Sequence, residues 1–232
     1  MCRARPPWNG VTVSAGGSQI GAEWTDRSGC ARNEVRGGLP PVPPRMVLIR
    51  HGQTEWSKSG RHTGRSDPPL LEEGCRQAEH SGEMLRSHGF AQFGLVLTSP
   101  LRRAAETCAL AGFQGVPDAD LVEWDYGKYE GLTSDQIRAQ RPGWTLWQDG
   151  VPEGERASDV ARRADRVIAQ ALAGEGDTLC FAHGHVLRVL GARWLGLPPV
   201  AGGLLLLYPG HLCVLGWERE SPAIELWNRA PR

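Results

Sequence analysis

Three short, uninterrupted apolar runs limit what this chain can fold into: Met46-Val47-Leu48-Ile49, Leu95-Val96-Leu97 and Thr178-Leu179-Cys180-Phe181-Ala182. None shows the apolar and polar alternation of a strand with one wet face, so each reads as a strand buried on both faces. Amphipathic stretches separate them. The spacing predicts helices over 72–88, 101–111 and 158–173, and in the last of these Val160, Ala164, Val167, Ala171 and Leu172 trace one face. Strands alternating with helices imply an α/β class, a three-layer α/β/α sandwich around a mostly parallel central sheet. Closely spaced extended runs at 204–208, 211–217 and 224–227 predict an antiparallel edge strand near the end.

The domain begins at residue 46. Before it, residues 1–45 hold seven Gly, six Pro and six Arg against three acids, with no apolar periodicity, which predicts a disordered arm. No continuous apolar stretch follows its early arginines, so it does not read as a secretory signal. Its Pro-Pro-Val-Pro-Pro at 40–44 reads as a stiff linker rather than a partner's polyproline ligand, and Met46 is an alternative start of the chain. The expected organisation is this arm followed by one catalytic domain over 46–232.

Charge excludes several functions. Twenty-six basic and 26 acidic side chains cancel, and without the arm the remainder carries 20 against 23. A chain so balanced offers no broad positive field for nucleic acid or an anionic membrane surface, so neither is expected as a partner. No apolar run approaches the roughly 18–20 residues that cross a bilayer. The six cysteines are scattered without a CxxC pair and read as reduced thiols, which suits the cytoplasm. A charged ligand must therefore be met by local geometry.

In open α/β sheets ligands bind outside the carboxyl ends of the strands. There this chain carries Arg50-His51-Gly52, Ser99-Pro100-Leu101-Arg102-Arg103, and His183-Gly184-His185. Glycine after each strand-end histidine lets backbone approach a ligand closely. Zinc at His183 and His185 is the rival reading, but adjacent guanidiniums repel a cation and no carboxylate completes a ligand spacing, so no metal or cofactor is expected. Arginine beside histidine suits a phosphate instead: guanidinium matches its oxygens, and neutral imidazole can attack phosphorus. A leaving alcohol then needs a proton donor. Glu123, Asp125 and Glu130 lie near aromatic bulk, where an apolar wall would keep a carboxyl protonated. Chemistry alone does not rank the three.

The run Leu48-Ile49-Arg50-His51-Gly52-Gln53-Thr54-Glu55-Trp56 resembles the signature of the histidine phosphatase superfamily, the phosphoglycerate-mutase-like fold. The likeness continues through Thr63-Gly64, Ser99 to Ala104 with Thr107, Glu123 to Gly131, and Phe181 to His185. In detail it is most similar to bacterial acid phosphatases and a fungal sedoheptulose-1,7-bisphosphatase. The resemblance implies that His51 is the nucleophile, that Arg50, Arg103 and His183 enclose the phosphoryl group with it, and that Glu123 is the proton donor. It implies substrate or phosphate contacts at Gln53, Thr54, Ser57, Thr63, Gly64, Tyr126 and the Gly184 backbone, and makes Arg102 a surface neighbour.

Two departures bear on the reaction. Ser57 stands where mutases carry Asn, a shorter group that holds phosphate less tightly. The long basic insertion of cofactor-dependent mutases is also missing, since Gly131 runs within twelve residues to Gly143. An unshielded phosphohistidine is open to water, so the expectation is a phosphatase acting on small phosphomonoesters, sugar phosphates first. The alternatives are phosphoglycerate mutase activity or a weakly catalytic interaction module. Trp56, Trp124, Tyr126, Trp144 and Trp147 are expected either to wall a sugar pocket or to lie in the core. A late edge strand offers a route to a homodimer.

Overall fold

The computed structural model describes residues 43–230, so the arm expected over 1–45 falls almost wholly outside the described residues. In chain order the elements are β1 (Met46–Arg50), α1 (Glu55–Ser59), α2 (Glu72–Ser87), β2 (Leu95–Thr98), α3 (Arg102–Leu110) and β3 (Val116–Pro117). Then come α4 (Ser134–Gln140), α5 (Leu146–Asp149), α6 (Ala157–Ala173), β4 (Thr178–Ala182), α7 (Gly184–Trp194), β5 (Leu212–Glu218) and β6 (Ser221–Arg229). One sheet runs in the order β3-β2-β4-β1-β5-β6. β1 lies parallel to β4, β4 to β2 and β2 to β3, whereas β5 is antiparallel to β1 and to β6.

Alternation along the apolar runs divides the core between two faces. Met46, Leu48, Cys180 and Ala182 pack with residues of α6 and α7, such as Val167, Val186 and Leu190. Val47, Ile49, Leu179 and Phe181 pack with Met84 and Leu85 of α2 and Cys108 of α3. The sheet is therefore the middle of three layers, and its central strands are covered on both sides, as an unbroken apolar sequence requires. In the parallel register Arg50 faces Ala182 and Thr98 faces Phe181. His51, Ser99 and His183, the next residues, thus emerge side by side at one sheet edge.

Two expectations need adjustment. The antiparallel portion comprises two strands, β5 and β6. The run at 204–208 is not a strand: a 3-10 helix occupies Pro199–Leu204, and the chain continues without regular structure. Its carbonyls serve side chains instead of a ladder, Leu206 O accepting from Trp227 Nε1 at 2.6 Å and Leu207 O from Arg50 Nη1 at 2.6 Å. Among the described residues no helix is long and apolar enough to cross a membrane. Cys75, Cys108, Cys180 and Cys213 are free thiols.

The α2–α3 contact supplies a test of this packing. A Cβ on Gly82 would lie 2.2 Å from the carbonyl oxygen of Ala111. In an open helix, Gly→Ala gains about 1 kcal/mol; here the backbone clash reverses the sign, and Gly82→Ala should lose about 1–3 kcal/mol. A lowered urea midpoint is the expected result, whereas a raised one would mean that α2 and α3 separate without cost.

Candidate active site

His51 is held in place by backbone. Its N–H donates to Ala182 O at 2.9 Å, and the following Gly52 N–H donates to Thr107 Oγ1 at 3.0 Å. Gly52 has no room for a side chain, since a Cβ there would stand 2.2 Å from Gly74 O. The imidazole Nδ1 is 2.7 Å from Gly52 O, which can only accept, so Nδ1 carries the proton and Nε2 the lone pair. Burial, followed by the charges of Arg103 and Arg50, holds the His51 pKa well below its ordinary value. At neutral pH it is uncharged, with a lone pair on Nε2.

Arg50 is the cation beside it. Its Nη1 donates to Leu207 O, but its buried Nε has no hydrogen-bond partner among the described residues. A buried guanidinium N–H left without an acceptor is costly, and an anion's oxygen satisfies it. The guanidinium lies against Gly184, whose Cβ would come within 3.2 Å of Arg50 Cζ.

His183 and Arg103 stand behind this pair, both fully buried. The rings of His51 and His183 are 5.1 Å apart. Arg103 Nε–H donates to His183 Nδ1 at 3.1 Å, leaving Nε2–H to donate to Ser99 Oγ at 2.8 Å. Arg103's other N–H groups donate to Ser66 O, Asp67 Oδ1, Thr63 O and Gly64 O, so all five are engaged within the protein. As found, both residues organise the site. Neither presents a free donor to the cavity. Because both ring nitrogens of His183 are engaged, and His185 Nδ1 meets Tyr126 Oη at 2.6 Å, the two histidines do not form a common ligand set.

The acids are ranked by placement. Asp125 is paired with Arg65 at 2.7 Å and accepts from Gly127 N, while Glu130 accepts from Gly64 N and Ser66 N. Glu123 lines the cavity. Its Oε1 accepts from Trp124 N and Val186 N, and its Oε2 from His185 N at 3.0 Å. The last two residues belong to the first turn of α7, whose N–H groups lack helical partners. This differs from the apolar wall expected around the carboxyl. Trp124 is buried with its Nε1 on Glu155 O, and backbone N–H groups surround the carboxyl itself.

The cavity has a volume of about 240 Å3. Of the residues singled out from sequence, Arg50, His51, Ser57, Thr63, Glu123, Tyr126, Gly184 and His185 line it. Gln53, Thr54, Gly64, Arg103 and His183 do not. Thr54 caps α1 by accepting from Ser57 N, and Gln53 N donates to Gln77 Oε1. Ser57 also bonds back to Thr54. Trp124 and Trp144 are core residues, Trp56 and Trp147 are half-buried, and only Tyr126 of the five aromatics reaches the cavity. Arg102 is exposed, as expected. Sequence reasoning missed Arg61, His62, Ser134, Arg188 and Leu207 as lining residues. Arg188 was legible, four residues after Gly184 on the helix that leaves the site; Leu207 carried no signal.

A neutral imidazole beside an unpartnered guanidinium Nε–H, at the carboxyl ends of the parallel strands, suits an α/β protein that handles phosphate. The family model described as Histidine phosphatase superfamily (branch 1) matches residues 46–230, and the chain belongs to that superfamily. It is a hydrolase of phosphomonoesters. It is 40% identical over 177 residues to an acid phosphatase of Mycobacterium tuberculosis, covering 75% of this chain and 87% of that one. It is 37% identical over 191 residues to sedoheptulose 1,7-bisphosphatase of Saccharomyces cerevisiae, covering 68% and 70%. A solved open-reading-frame product of Mycobacterium tuberculosis superposes with a TM-score of 0.77 at 36% identity, covering 82% and 99%. Phosphoglycerate mutases dependent on 2,3-bisphosphoglycerate are also among the relatives.

Four imidazoles of the site make the fold sensitive to acid. Burial is the first cause that lowers His51, His62, His183 and His185, His62 to about 4. The unfolded chain binds these protons from about pH 6.5 downward, and the folded chain does not until lower pH. The unfolded state therefore holds more protons in that window, and stability falls as pH drops from about 6.5 toward 4. Each histidine contributes at most about 1.4 kcal/mol per pH unit there, the slope reached where its unfolded form is charged and its folded form neutral. Urea unfolding should show a much lower midpoint at about pH 5 than at about pH 7; equal midpoints would mean that the imidazoles are charged in the native protein.

Proposed function

We propose that the chain hydrolyses small sugar phosphates through a phosphohistidine at His51, without a metal. The observation that carries this reading is the uncharged His51, its Nε2 unprotonated, next to the buried, unpartnered Nε–H of Arg50. The Nε2 lone pair attacks phosphorus as the ester P–O bond breaks, and Glu123 gives its proton to the departing oxygen. Glu123, now a carboxylate, takes a proton from water; the hydroxide attacks phosphorus, the P–N bond breaks, and inorganic phosphate leaves with His51 restored. Arg50 holds the phosphoryl oxygens throughout. Arg103 and His183 stand behind His51 and Arg50 and hold the pair in place, and Thr63, Ser57, Tyr126 and the Gly184 backbone line the space where the substrate sits. Sedoheptulose bisphosphatase among the relatives supports a sugar ester.

Mutase chemistry is the second reading, favoured by the mutases among the relatives. Against it, the 131–143 segment is short and adds one brief helix, α4, whose Ser134 joins the cavity wall. That arrangement leaves a phosphohistidine accessible to water. The free thiols fit a cytoplasmic setting, and the edge position of β6 fits pairing with a second copy.

His51→Ala should reduce phosphate release from an aryl phosphate to background, and Glu123→Gln should lower turnover by roughly 10²–10⁴-fold. A chelator should leave wild-type activity intact. Wild-type turnover by His51→Ala, or activity lost to chelation, would overturn the mechanism. Labelled phosphate moving between the 2- and 3-positions of phosphoglycerate without release would instead establish the mutase.

A further inference from the structure

Glu130 does not line the cavity, yet it grips the loop that forms part of the cavity wall. It follows the 3-10 turn Gly127–Tyr129, and the residues after it are laced to the 61–66 loop. Gly131 N–H donates to His62 O at 2.8 Å, His62 N–H donates to Leu132 O at 2.9 Å, and Arg61 forms an antiparallel bridge with Thr133. Beside this short ladder the Glu130 carboxylate accepts Gly64 N–H on both oxygens at 3.0 Å and Ser66 N–H on Oε1 at 3.0 Å. The arginines of this loop and its clamp pair with other acids, Arg65 with Asp125 and Arg103 with Asp67. Backbone donors meet the Glu130 charge instead.

The other side of the same loop is held by a cation. Arg103 Nη2 donates to Thr63 O at 3.1 Å and to Gly64 O at 3.2 Å, and its Nη1 donates to Ser66 O at 2.7 Å. Thr63 O and Gly64 N belong to one peptide group, so its carbonyl faces a guanidinium and its N–H faces a carboxylate. A peptide set between opposite charges cannot turn over without losing two charge-assisted bonds. Two parts of the wall are fixed in this way. Thr63, which lines the cavity, is pinned through that peptide, and its hydroxyl donates to Arg61 O at 3.0 Å. Gly64 is pressed onto Tyr126, since a Cβ there would stand 3.1 Å from the Tyr126 ring and 2.8 Å from Glu130 Oε2.

We propose that Glu130 is a positioning residue: by opposing Arg103 across the Thr63–Gly64 peptide, it holds Thr63 and Tyr126 in place on the wall that faces His51. A glutamine there would keep the length but leave one acceptor oxygen for two N–H groups, freeing the peptide to turn. This rests on the phosphatase reading and adds a residue to it.

The test is phosphate release from an aryl phosphate by the full chain as wild type, Glu130→Gln, Thr63→Ala and the double variant. Turnover is followed at steady state and, with enzyme in excess, over a single turnover, where the rate constant belongs to folded molecules alone. Glu130→Gln should lower both kcat/KM and the single-turnover rate about 10- to 100-fold, the cost of a small misplacement of the wall. Thr63→Ala should cost several-fold in the wild-type background and much less beside Glu130→Gln, because a displaced wall has less to lose. A wild-type single-turnover rate in Glu130→Gln, even with a lowered urea midpoint, would make Glu130 a brace for stability and overturn the inference. Losses that simply multiply in the double variant would overturn it too. If Glu130→Gln does not fold, Glu130→Asp takes its place, its carboxylate kept but withdrawn by one methylene, and the same two comparisons decide. These outcomes leave the phosphatase reading standing. A wild type that releases no phosphate is a different failure: the phosphatase reading falls, and this inference with it.

Discussion

The site depends on keeping an imidazole uncharged while surrounding it with guanidiniums. Two effects act in the same direction here. Burial penalises the imidazolium, and Arg50 and Arg103 repel it, so the positive charges that suit an anion also preserve the lone pair on the imidazole. Neither effect suffices without direction. Gly52 O takes the Nδ1 proton, which leaves Nε2 as the basic nitrogen. Parallel pairing of β1 with β4 brings His51 and His183 close together, and the second imidazole, also neutral, adds no charge of its own.

α7 links the two halves of the chemistry. It starts at Gly184, directly after His183, and its first N–H groups hold the Glu123 carboxyl group. A helix start has donors to offer because its first turn lacks acceptors. The Gly184 backbone beside Arg50 and the cation Arg188 therefore share one rigid element, and Glu123, on irregular backbone, is tied to that element's first turn.

Much of this was legible in the sequence. Continuous apolar runs announced strands buried on both faces, and the residues just past their carboxyl ends, His51, Ser99 and His183, are those that the parallel register brings together. Elsewhere the sequence was silent for physical causes. The run at 204–208 looks extended because it is apolar, yet Leu204 is 87% exposed and the backbone carbonyls of Leu206 and Leu207 serve distant side chains. No local pattern records a partner 157 residues away. Trp124 and Trp144 could have been wall or core, and volume decided: rings that large complete the packing under α6. The signature Gln53-Thr54 reads as ligand-binding, but Thr54 is engaged in capping α1. Glu123 was singled out through the resemblance, and its setting of backbone donors was not legible, because Val186 and His185 are more than sixty residues away.

Arg103 constrains more than the chemistry. Its guanidinium joins the 63–67 loop, the start of α3 and the end of β4 through five donors, each with its own acceptor. Lysine offers three donors on a single nitrogen and cannot reach such a spread of acceptors. The position therefore has no neighbouring amino acid through which it can drift. Any lineage that keeps this arrangement must keep arginine there, and one that loses it must rebuild the loop, the helix start and the His183 tautomer together. The residue is a point of evolutionary lock-in, which ties the history of the surface loop at 63–67 to that of the buried histidine.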